Sequence, residues 1–133
     1  MRYLLDTHVW IWSQESPERL GRQTRRELTD LAQERFVSPI STLEIARLIY
    51  LGLLRLKHPL SEWRLLSLDN LHAAAAGFTH EIAAETYNLP AKFHKDPIDR
   101  VLVATARIER LTLITADDLI LRYPHVKTLR ASA

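Results

Sequence analysis

Short apolar segments alternate along this chain with longer segments that have apolar residues at helical spacing. Apolar runs that end at a polar residue predict buried strands at 2–5, 36–38, 111–114 and 126–129. Helical signals predict helices at 16–34, with a possible break at Gly21, and at 41–53, 59–71, 80–88, 97–108 and 119–123. The alanines at 73–76 are interpreted as a possible extension of the preceding helix, and 77–79 as a brief extended segment that ends in a cap. Strands that alternate with helices predict an α/β fold with a central parallel β-sheet and helices on both faces.

The helix predicted from Pro97 onward begins with a dense group of acidic residues. In the stretch HKDPIDRVLVATAR, Asp96 is placed to be the N-cap, Pro97 the first helical residue and Asp99 the third. Both acids would stabilise the helix through its dipole, by about 0.3–1 kcal/mol each. The predicted buried stripe of this helix is Ile98, Val101, Leu102, Thr105 and Ile108. On this stretch alone, capping is a sufficient explanation for both aspartates.

Three further acidic residues occupy similar places beside other predicted elements. Asp6 follows the first strand, Glu44 stands in the first turn after the second strand, and Asp117 follows a late strand. Asp6 and Asp117 could cap the segments that follow them, and Glu44 lies three residues after Ser41, which is the spacing of a capping box. In an open parallel sheet, however, strand ends and helix N-termini lie at the same edge. The sequence therefore predicts that Asp6, Glu44, Asp99 and Asp117 converge there.

The convergence of four carboxylates favours a bound cation. Two carboxylates about 4 Å apart repel by about 4 kcal/mol at an effective dielectric near 20, whereas a whole domain is stable by only about 5–15 kcal/mol. Such a group has to be protonated, paired with basic side chains or bound to a metal ion. Because the chain has no cysteine, an all-oxygen site suits Mg²⁺ or Mn²⁺ rather than zinc. This chemistry suggests phosphodiester hydrolysis.

Composition predicts a single domain over residues 1–133. A chain of 133 residues with 47% hydrophobic and 26% charged residues is typical of a globular protein of one domain. The apolar run from Tyr3 to Trp12 is broken by Asp6 and His8, so neither a signal peptide nor a membrane span is expected, and we expect a cytoplasmic location. With three glycines and no P-loop or GxGxxG motif, a phosphate-cradling loop is not expected.

Basic residues beside the acidic helix start suggest a polyanionic partner. The net charge of +2 permits such a partner without requiring it. Lys92, His94, Lys95 and Arg100 stand where a nucleic-acid backbone that approaches the carboxylates would require positive charge. The histidines show no ligand spacing, so His8 and His94 are interpreted as surface or supporting groups, with a place in the cleft as the alternative.

Several motifs together resemble the PIN-domain ribonucleases, and within them the VapC-type toxins of bacterial toxin–antitoxin pairs. These motifs are the opening YLLDTHVWIW, the segment SPISTLEIARL, the block LPAKFHKDPIDRVLVATARIERLTLITAD and the ending YPHVKTL. They cover both ends of the chain and the helix after the second strand, with weak support between about Leu54 and Glu85. An Asp-Thr pair alone is a weak signal, but the ordered set is specific.

The resemblance implies a PIN-like parallel-sheet fold and a role for each matching residue. Asp6, Glu44, Asp99 and Asp117 match the metal-binding acids of the family, while Asp96, Thr7 and Thr115 match supporting positions. It further implies one or two Mg²⁺ or Mn²⁺ ions, an RNA substrate, a homodimer, and inhibition by a small antitoxin protein. The residues expected to contact RNA or the antitoxin are Arg47, Lys92, Lys95 and Arg100.

Two other hypotheses belong to different functional classes. The first is a non-catalytic module that keeps the fold and uses its cleft only to bind a protein, although the intact set of acids argues against it. The second is a phosphatase or phosphotransferase with Asp6 as the nucleophile. The residue two positions after Asp6 is His8 rather than a second aspartate, which counts against the commonest motif of that kind.

Overall fold

In a computed structural model that describes residues 1–133, five parallel strands form the centre of the protein. The strands are β1 (Arg2–Leu5), β2 (Glu34–Val37), β3 (Ala73–Ala75), β4 (Thr112–Thr115) and β5 (Thr128–Arg130). Their order across the sheet is β3-β2-β1-β4-β5, with β1 at the centre. In the register of that centre, Leu4 stands opposite Phe36 of β2 and Leu113 of β4. The chain moves outward from β1 through β2 to β3 and then returns with β4 to the other side of β1, so the strand order reverses at the boundary between β1 and β4.

Seven helices connect and cover the strands. They are α1 (Thr7–Glu15), α2 (Arg22–Thr29), α3 (Pro39–Tyr50), α4 (Leu60–Leu71), α5 (His80–Glu85), α6 (Pro97–Glu109) and α7 (Asp118–Leu121), with a short 3-10 turn at Pro17–Arg19. No helix has the length and apolar character to cross a membrane. The predicted α/β class, with a parallel sheet and helices on both faces, is confirmed.

Two hydrophobic cores lie on opposite faces of the sheet, because successive side chains of a strand point to opposite sides. Leu5 belongs to the core formed with α1, α2 and α4, while its neighbour Leu4 belongs to the core formed with α5, α6 and α7. In the first core, the ring centroids of Trp10 and Trp63 lie 4.8 Å apart. Trp10 Nε1 also donates a hydrogen bond to Ser67 Oγ (2.9 Å), which satisfies the polar atom of a fully buried ring.

A buried arginine joins two helix ends to the sheet. Arg35 of β2 is only 3% exposed, and it donates to the carbonyl oxygens of Leu71 (2.7 Å), Glu27 (3.1 Å) and Asp30 (2.8 Å). Since the last carbonyls of a helix have no partner within the helix, this guanidinium satisfies the C-terminal ends of α2 and α4. Arg35 therefore fixes how both helices sit against β2.

The structure corrects several boundaries. Residues 7–15 form α1, which the pattern did not predict, and the helix predicted at 16–34 is divided at Gly21 into the 3-10 turn and α2. The alanines after α4 do not extend it, because His72 adopts a left-handed conformation and Ala73–Ala75 pairs with β2 instead. The predicted cap at the end of 77–79 is confirmed, since Thr79 Oγ1 accepts from Ile82 N (3.1 Å).

The stripe predicted for α6 is confirmed in its centre. Val101, Leu102 and Thr105 are buried, whereas Ile98 and Ile108 at its ends are partly buried and pack against the second core. The strands predicted at 111–114 and 126–129 are each shifted by one or two residues toward the C-terminus, and α7 begins one residue earlier than predicted. These shifts leave Asp117 between β4 and α7.

Candidate active site

An open acidic cleft lies at the carboxyl ends of β1 and β4, where the strand order reverses. In sheets of this kind ligands bind at that point. The cleft has a volume of about 270 Å³ and is lined by Asp6, His8, Trp12, Glu44, Asp96, Asp99, Ala116 and Asp117. All four acids predicted to converge therefore line one cleft, as does the supporting Asp96.

Asp6 is the single residue between β1 and α1, and it is buried. Its Oδ1 accepts from the backbone N–H of Thr7 (2.7 Å) as the N-cap of α1, and its Oδ2 accepts from the hydroxyl of Thr115 (2.7 Å). Burial raises the pKa of Asp6 above its ordinary value, the Thr115 hydrogen bond opposes this rise, and the charge of Glu44 adds to it. The carboxylate is thus fixed in orientation and costly to leave charged without a nearby cation.

The two supporting threonines are both buried but have different partners. Thr115 Oγ1 donates to Asp6 and accepts from the backbone N–H of Asp117 (3.0 Å), so it links two of the acids. Thr7 Oγ1 donates to Ser41 Oγ (2.9 Å) and so joins α1 to α3. Of the two hydroxyls, that of Thr115 makes direct contact with a cleft carboxylate.

Asp96 and Asp117 are helix caps as well as cleft residues. Asp96 Oδ1 accepts from the N–H groups of Ile98 (2.9 Å) and Asp99 (3.3 Å) at the start of α6. Asp117 Oδ1 accepts from the N–H groups of Leu119 (2.8 Å) and Ile120 (3.2 Å) at the start of α7. In both residues the caps use Oδ1, so Oδ2 remains available for a ligand. Capping and ligand binding are therefore compatible for these aspartates.

Glu44 enters the cleft from the body of α3 rather than from its first turn. The N-cap of this helix is Ser38, whose Oγ accepts from Ile40 N (3.0 Å), and Pro39 is the first helical residue. The capping box proposed for Ser41 and Glu44 is therefore wrong. Ser41 instead is fully buried and accepts a hydrogen bond from α1. Glu44 is left without a capping role that would explain its position.

Asp99, in the first turn of α6, is a strongly perturbed acid. Its side chain is only 14% exposed. Burial, together with the charges of Asp6, Asp96, Asp117 and Glu44, raises the pKa of Asp99 to about 8. A carboxyl group that is this costly to ionise, in a cleft open to solvent, is a typical feature of a functional site.

His94 is closer to the centre of the site than the sequence indicated. Its Nε2 lies 3.2 Å from Oδ2 of Asp99 and is buried, although it is poorly aligned for a hydrogen bond. Ligand atoms of His94, Asp99 and Asp117 all lie within 4.8 Å of one another, so these three residues form the tightest cluster of groups that could bind a metal ion. The alternative of a place in the cleft is supported for both histidines, because His8 lines the cleft with an exposed side chain and His94 lies beside Asp99.

The four basic residues predicted to contact RNA or an antitoxin have different surroundings. Arg47, Lys92 and Lys95 are exposed. Arg100 is partly buried and donates to the carbonyl oxygens of Thr86 (2.9 Å), Phe93 (3.2 Å) and His94 (3.1 Å). Arg100 thus holds the segment that precedes α6, and its contact with RNA or an antitoxin, like that of the others, stays a prediction.

The donor groups of the cleft fit a divalent cation. Oxygen atoms from five carboxylates and the imidazoles of His8 and His94 lie around it, and no lysine or arginine lines it to balance the charge of the carboxylates. Carboxylate oxygens are preferred by Mg²⁺ and Mn²⁺, and Mn²⁺ also tolerates imidazole. The raised pKa of Asp99 reflects how unfavourable its negative charge is beside the other carboxylates. A bound cation would offset this repulsion.

Fold and site together define an α/β domain with a carboxylate cleft at the point where the strand order reverses. Residues 3–126 match the PIN domain family. The chain is 34% identical over 124 residues to Ribonuclease VapC22 of Mycobacterium tuberculosis, and the match covers 92% of each protein. The chain therefore belongs to the PIN-domain family.

Solved structures share this fold. A chain in the crystal structure of VapBC2 from Rickettsia felis, bound to a DNA fragment from its promoter, is similar with a TM-score of 0.73 and 17% identity, covering 99% of this chain and 100% of that one. A toxin–antitoxin complex from Klebsiella pneumoniae gives a TM-score of 0.65 at 18% identity, with 96% of each chain covered. At these identities the likeness concerns the fold.

Proposed function

We propose that this protein is a metal-dependent endoribonuclease that acts as the toxin of a toxin–antitoxin pair. The observation that carries the proposal is the single cleft in which Asp6, Glu44, Asp99 and Asp117 meet from four different elements. Membership of the PIN-domain family and the similarity to a ribonuclease over 92% of the chain support the reaction and the substrate class.

Asp6, Asp99 and Asp117 are the residues that would hold Mg²⁺ or Mn²⁺, and Glu44 would complete the site directly or through water. When bound, the ion would supply a water of lowered pKa and an electrophile for a phosphoryl oxygen. The protein itself fixes the carboxylates before any ligand arrives, because Asp6 and Asp117 are oriented by the hydrogen bonds of Thr115 and of two helix N-termini.

The negative charge of the cleft determines what the basic residues near it would contribute to RNA binding. A phosphodiester is anionic, so its approach to five acids is favourable only after these have been neutralised. Lys92 and Lys95 are exposed and precede Asp96 in the chain, and we propose that they contact flanking phosphates of an RNA strand. Their contribution would be electrostatic and independent of sequence, and it would weaken with salt.

An exposed apolar surface supports a protein partner. Large hydrophobic side chains of α3, α4 and the segment between them are solvent-accessible, namely Leu43, Ile49, Tyr50, Leu51, Leu53, Leu65 and Leu66. A concentration of exposed large apolar side chains on neighbouring segments is typical of protein interaction sites. The proposed occupants are an antitoxin protein and a second copy of the chain in a homodimer. The similarity to chains of toxin–antitoxin complexes agrees with the first of these.

Cleavage of RNA by the purified protein, freed of any antitoxin, tests the proposal. We expect cleavage with Mg²⁺ or Mn²⁺ and none with excess chelator. Asp6→Asn and Asp99→Asn should each lose more than about 100-fold in activity, because mutation of residues that only hydrogen-bond to metal ligands already costs about 10–100-fold in metal affinity or activity. Asp118→Asn is the matched control, since this neighbour of Asp117 is exposed and pairs only with Arg130 (3.6 Å).

Two results would overturn the assignment. Cleavage that both cleft variants retain would show that a contaminating enzyme or a different site is responsible. A wild-type protein that neither cuts RNA nor binds Mn²⁺ in a calorimetric titration would favour the non-catalytic protein-binding module.

A further inference from the structure

The imidazole of His94 is the only nitrogen group in the tightest cluster of the cleft, and both of its nitrogens face identified neighbours. The backbone N–H of Asp96 donates to Nδ1 (3.4 Å), while Nε2 lies 3.2 Å from Oδ2 of Asp99. In a neutral imidazole one nitrogen accepts and the other carries the proton. Since Nδ1 is the acceptor here, the proton is on Nε2, directed toward the carboxyl group of Asp99.

The surroundings of His94 hold the ring in this orientation. Arg100 donates to the carbonyl oxygens of Phe93 and His94 and so fixes the two peptide groups that flank the Cα of His94. The Phe93 ring lies 4.3 Å from the His94 ring and 4.7 Å from that of Tyr123, which belongs to the second core. Only 22% of the His94 side chain is exposed. Rotation of the imidazole away from Asp99 would disturb these contacts.

We propose that His94 is a positioning residue for Asp99: in the metal-bound protein its Nε2–H donates to Oδ2 of Asp99 and leaves Oδ1 free for the ion. This inference rests on the proposed function of the cleft. The buried Nε2 has no aligned partner in the present structure, and a buried donor without a partner costs about 1–3 kcal/mol. A small rotation of the Asp99 side chain supplies that partner, because the two atoms are already within 3.2 Å.

A direct metal ligand is the competing role for His94. To bind an ion, Nε2 would need its lone pair, and the proton of the neutral ring would move to Nδ1. There it would face the N–H of Asp96, so that two donors would be opposed across 3.4 Å. The backbone of the DPIDR segment thus selects the tautomer that donates at Nε2. The same selection explains how an imidazole is accommodated among carboxylates without acting as a ligand.

Mn²⁺ binding by calorimetry separates the roles, with three substitutions. His94→Ala removes the donor, and His94→Gln replaces it with an amide N–H of similar reach. His80→Ala is the control, because His80 is exposed at the start of α5, outside the cleft. We expect about 10–100-fold weaker Mn²⁺ binding in His94→Ala, binding restored to within a few-fold in His94→Gln, and no change in the control. The kcat for RNA cleavage should follow the same order, with KM little changed.

Pulsed electron paramagnetic resonance of the Mn²⁺-loaded protein then shows whether an imidazole nitrogen is bound to the ion. We expect no imidazole ¹⁴N coupling in the wild type. A coupling that disappears in His94→Ala would overturn the positioning role and establish a ligand. Equal Mn²⁺ affinity of wild type and His94→Ala, or a His94→Gln variant as weak as His94→Ala, would also overturn it. Failure of the wild type itself to bind Mn²⁺ would instead overturn the proposed function.

Discussion

Replacement of Asp99 by asparagine should stabilise the metal-free protein, and the gain should increase with pH. Burial, together with the neighbouring carboxylates, raises the pKa of Asp99 to about 8 in the folded state, against an ordinary value of 3.8. Between these two values the unfolded chain loses the proton that the folded protein keeps. The wild type is therefore destabilised progressively as pH rises from about 4 to about 8, and no further above that. Asparagine is neutral throughout, so Asp99→Asn avoids this loss.

The size of the effect follows from the width of that pH window. Each pH unit within it contributes at most about 1.4 kcal/mol. From pH 4 to pH 7 the upper limit is thus about 4 kcal/mol, and relaxation of the open cleft reduces it, so we expect about 2–4 kcal/mol. This is a large share of the about 5–15 kcal/mol by which domains are stable. Because the Asp99 side chain is only 14% exposed, screening by solvent should not abolish this stability difference.

Urea unfolding with a chelator, at half-unit steps from pH 4.5 to 8.5, measures the difference. The fluorescence of the buried Trp10 and Trp63 reports the loss of the first core. Asp118→Asn is the control and should follow the wild type. With Mn²⁺ at 1,000 times its Kd for the wild type, the order at pH 7 should reverse, because the ion then stabilises the wild type by about 4.1 kcal/mol, which is at or above the gain expected for Asp99→Asn.

A stability difference between Asp99→Asn and the wild type that stays constant from pH 4.5 to 8.5 would refute this reasoning. Such a result would mean that Asp99 ionises at its ordinary pH in the folded protein, and that its charge is already compensated without a metal ion. The electrostatic reason for a cation in the cleft would then be lost.

Three further substitutions test separate parts of the structure. Asp96→Asn should change stability by only a few tenths of a kcal/mol, because asparagine caps helices as well as aspartate, and should weaken Mn²⁺ binding less than Asp99→Asn; equal losses in calorimetry would contradict the division between them. Thr115→Val should cost about 1–3 kcal/mol in urea unfolding, since Asp6 loses a buried donor; unchanged stability would argue that water replaces it. Arg35→Met should cost about 3 kcal/mol by leaving one buried and two partly buried carbonyls without a donor; a smaller change would show that α2 and α4 end stably without it.

The acids of the site could be predicted because each stands beside an element with a clear local signal. A buried strand that ends at Asp6, and a Pro97 that opens a helix, are recognisable without tertiary information. The rule that strand ends of a parallel sheet meet at one edge then brings the acids together. Glu44 was predicted in the first turn of its helix, but Ser38 rather than Ser41 caps α3, so Glu44 lies further along the helix.

Other features depend on contacts that no short pattern records. Helix α1 buries Val9, Trp10 and Ile11 in succession, so it lacks the period by which a helix is recognised. Strand β3 consists of three alanines and exists because it pairs with β2. The position of His94 depends on Arg100, whose contacts with the carbonyls of the preceding segment lie in irregular backbone.

Two of the strand-to-helix connections in this protein consist of a single residue, Asp6 between β1 and α1 and Ser38 between β2 and α3. Because only one residue joins each of these strands to the helix that follows, neither junction can serve as a hinge. Asp6 is held further by the hydrogen bond from its N–H to the carbonyl of Ile114 in β4 (3.0 Å), so widening this part of the cleft would break the centre of the sheet. The site has no open and closed form at these junctions. We therefore expect control over the site to come from occupancy, by a bound ion or a covering partner, and a single residue inserted at position 6 or 38 should abolish the site while most of the core remains intact.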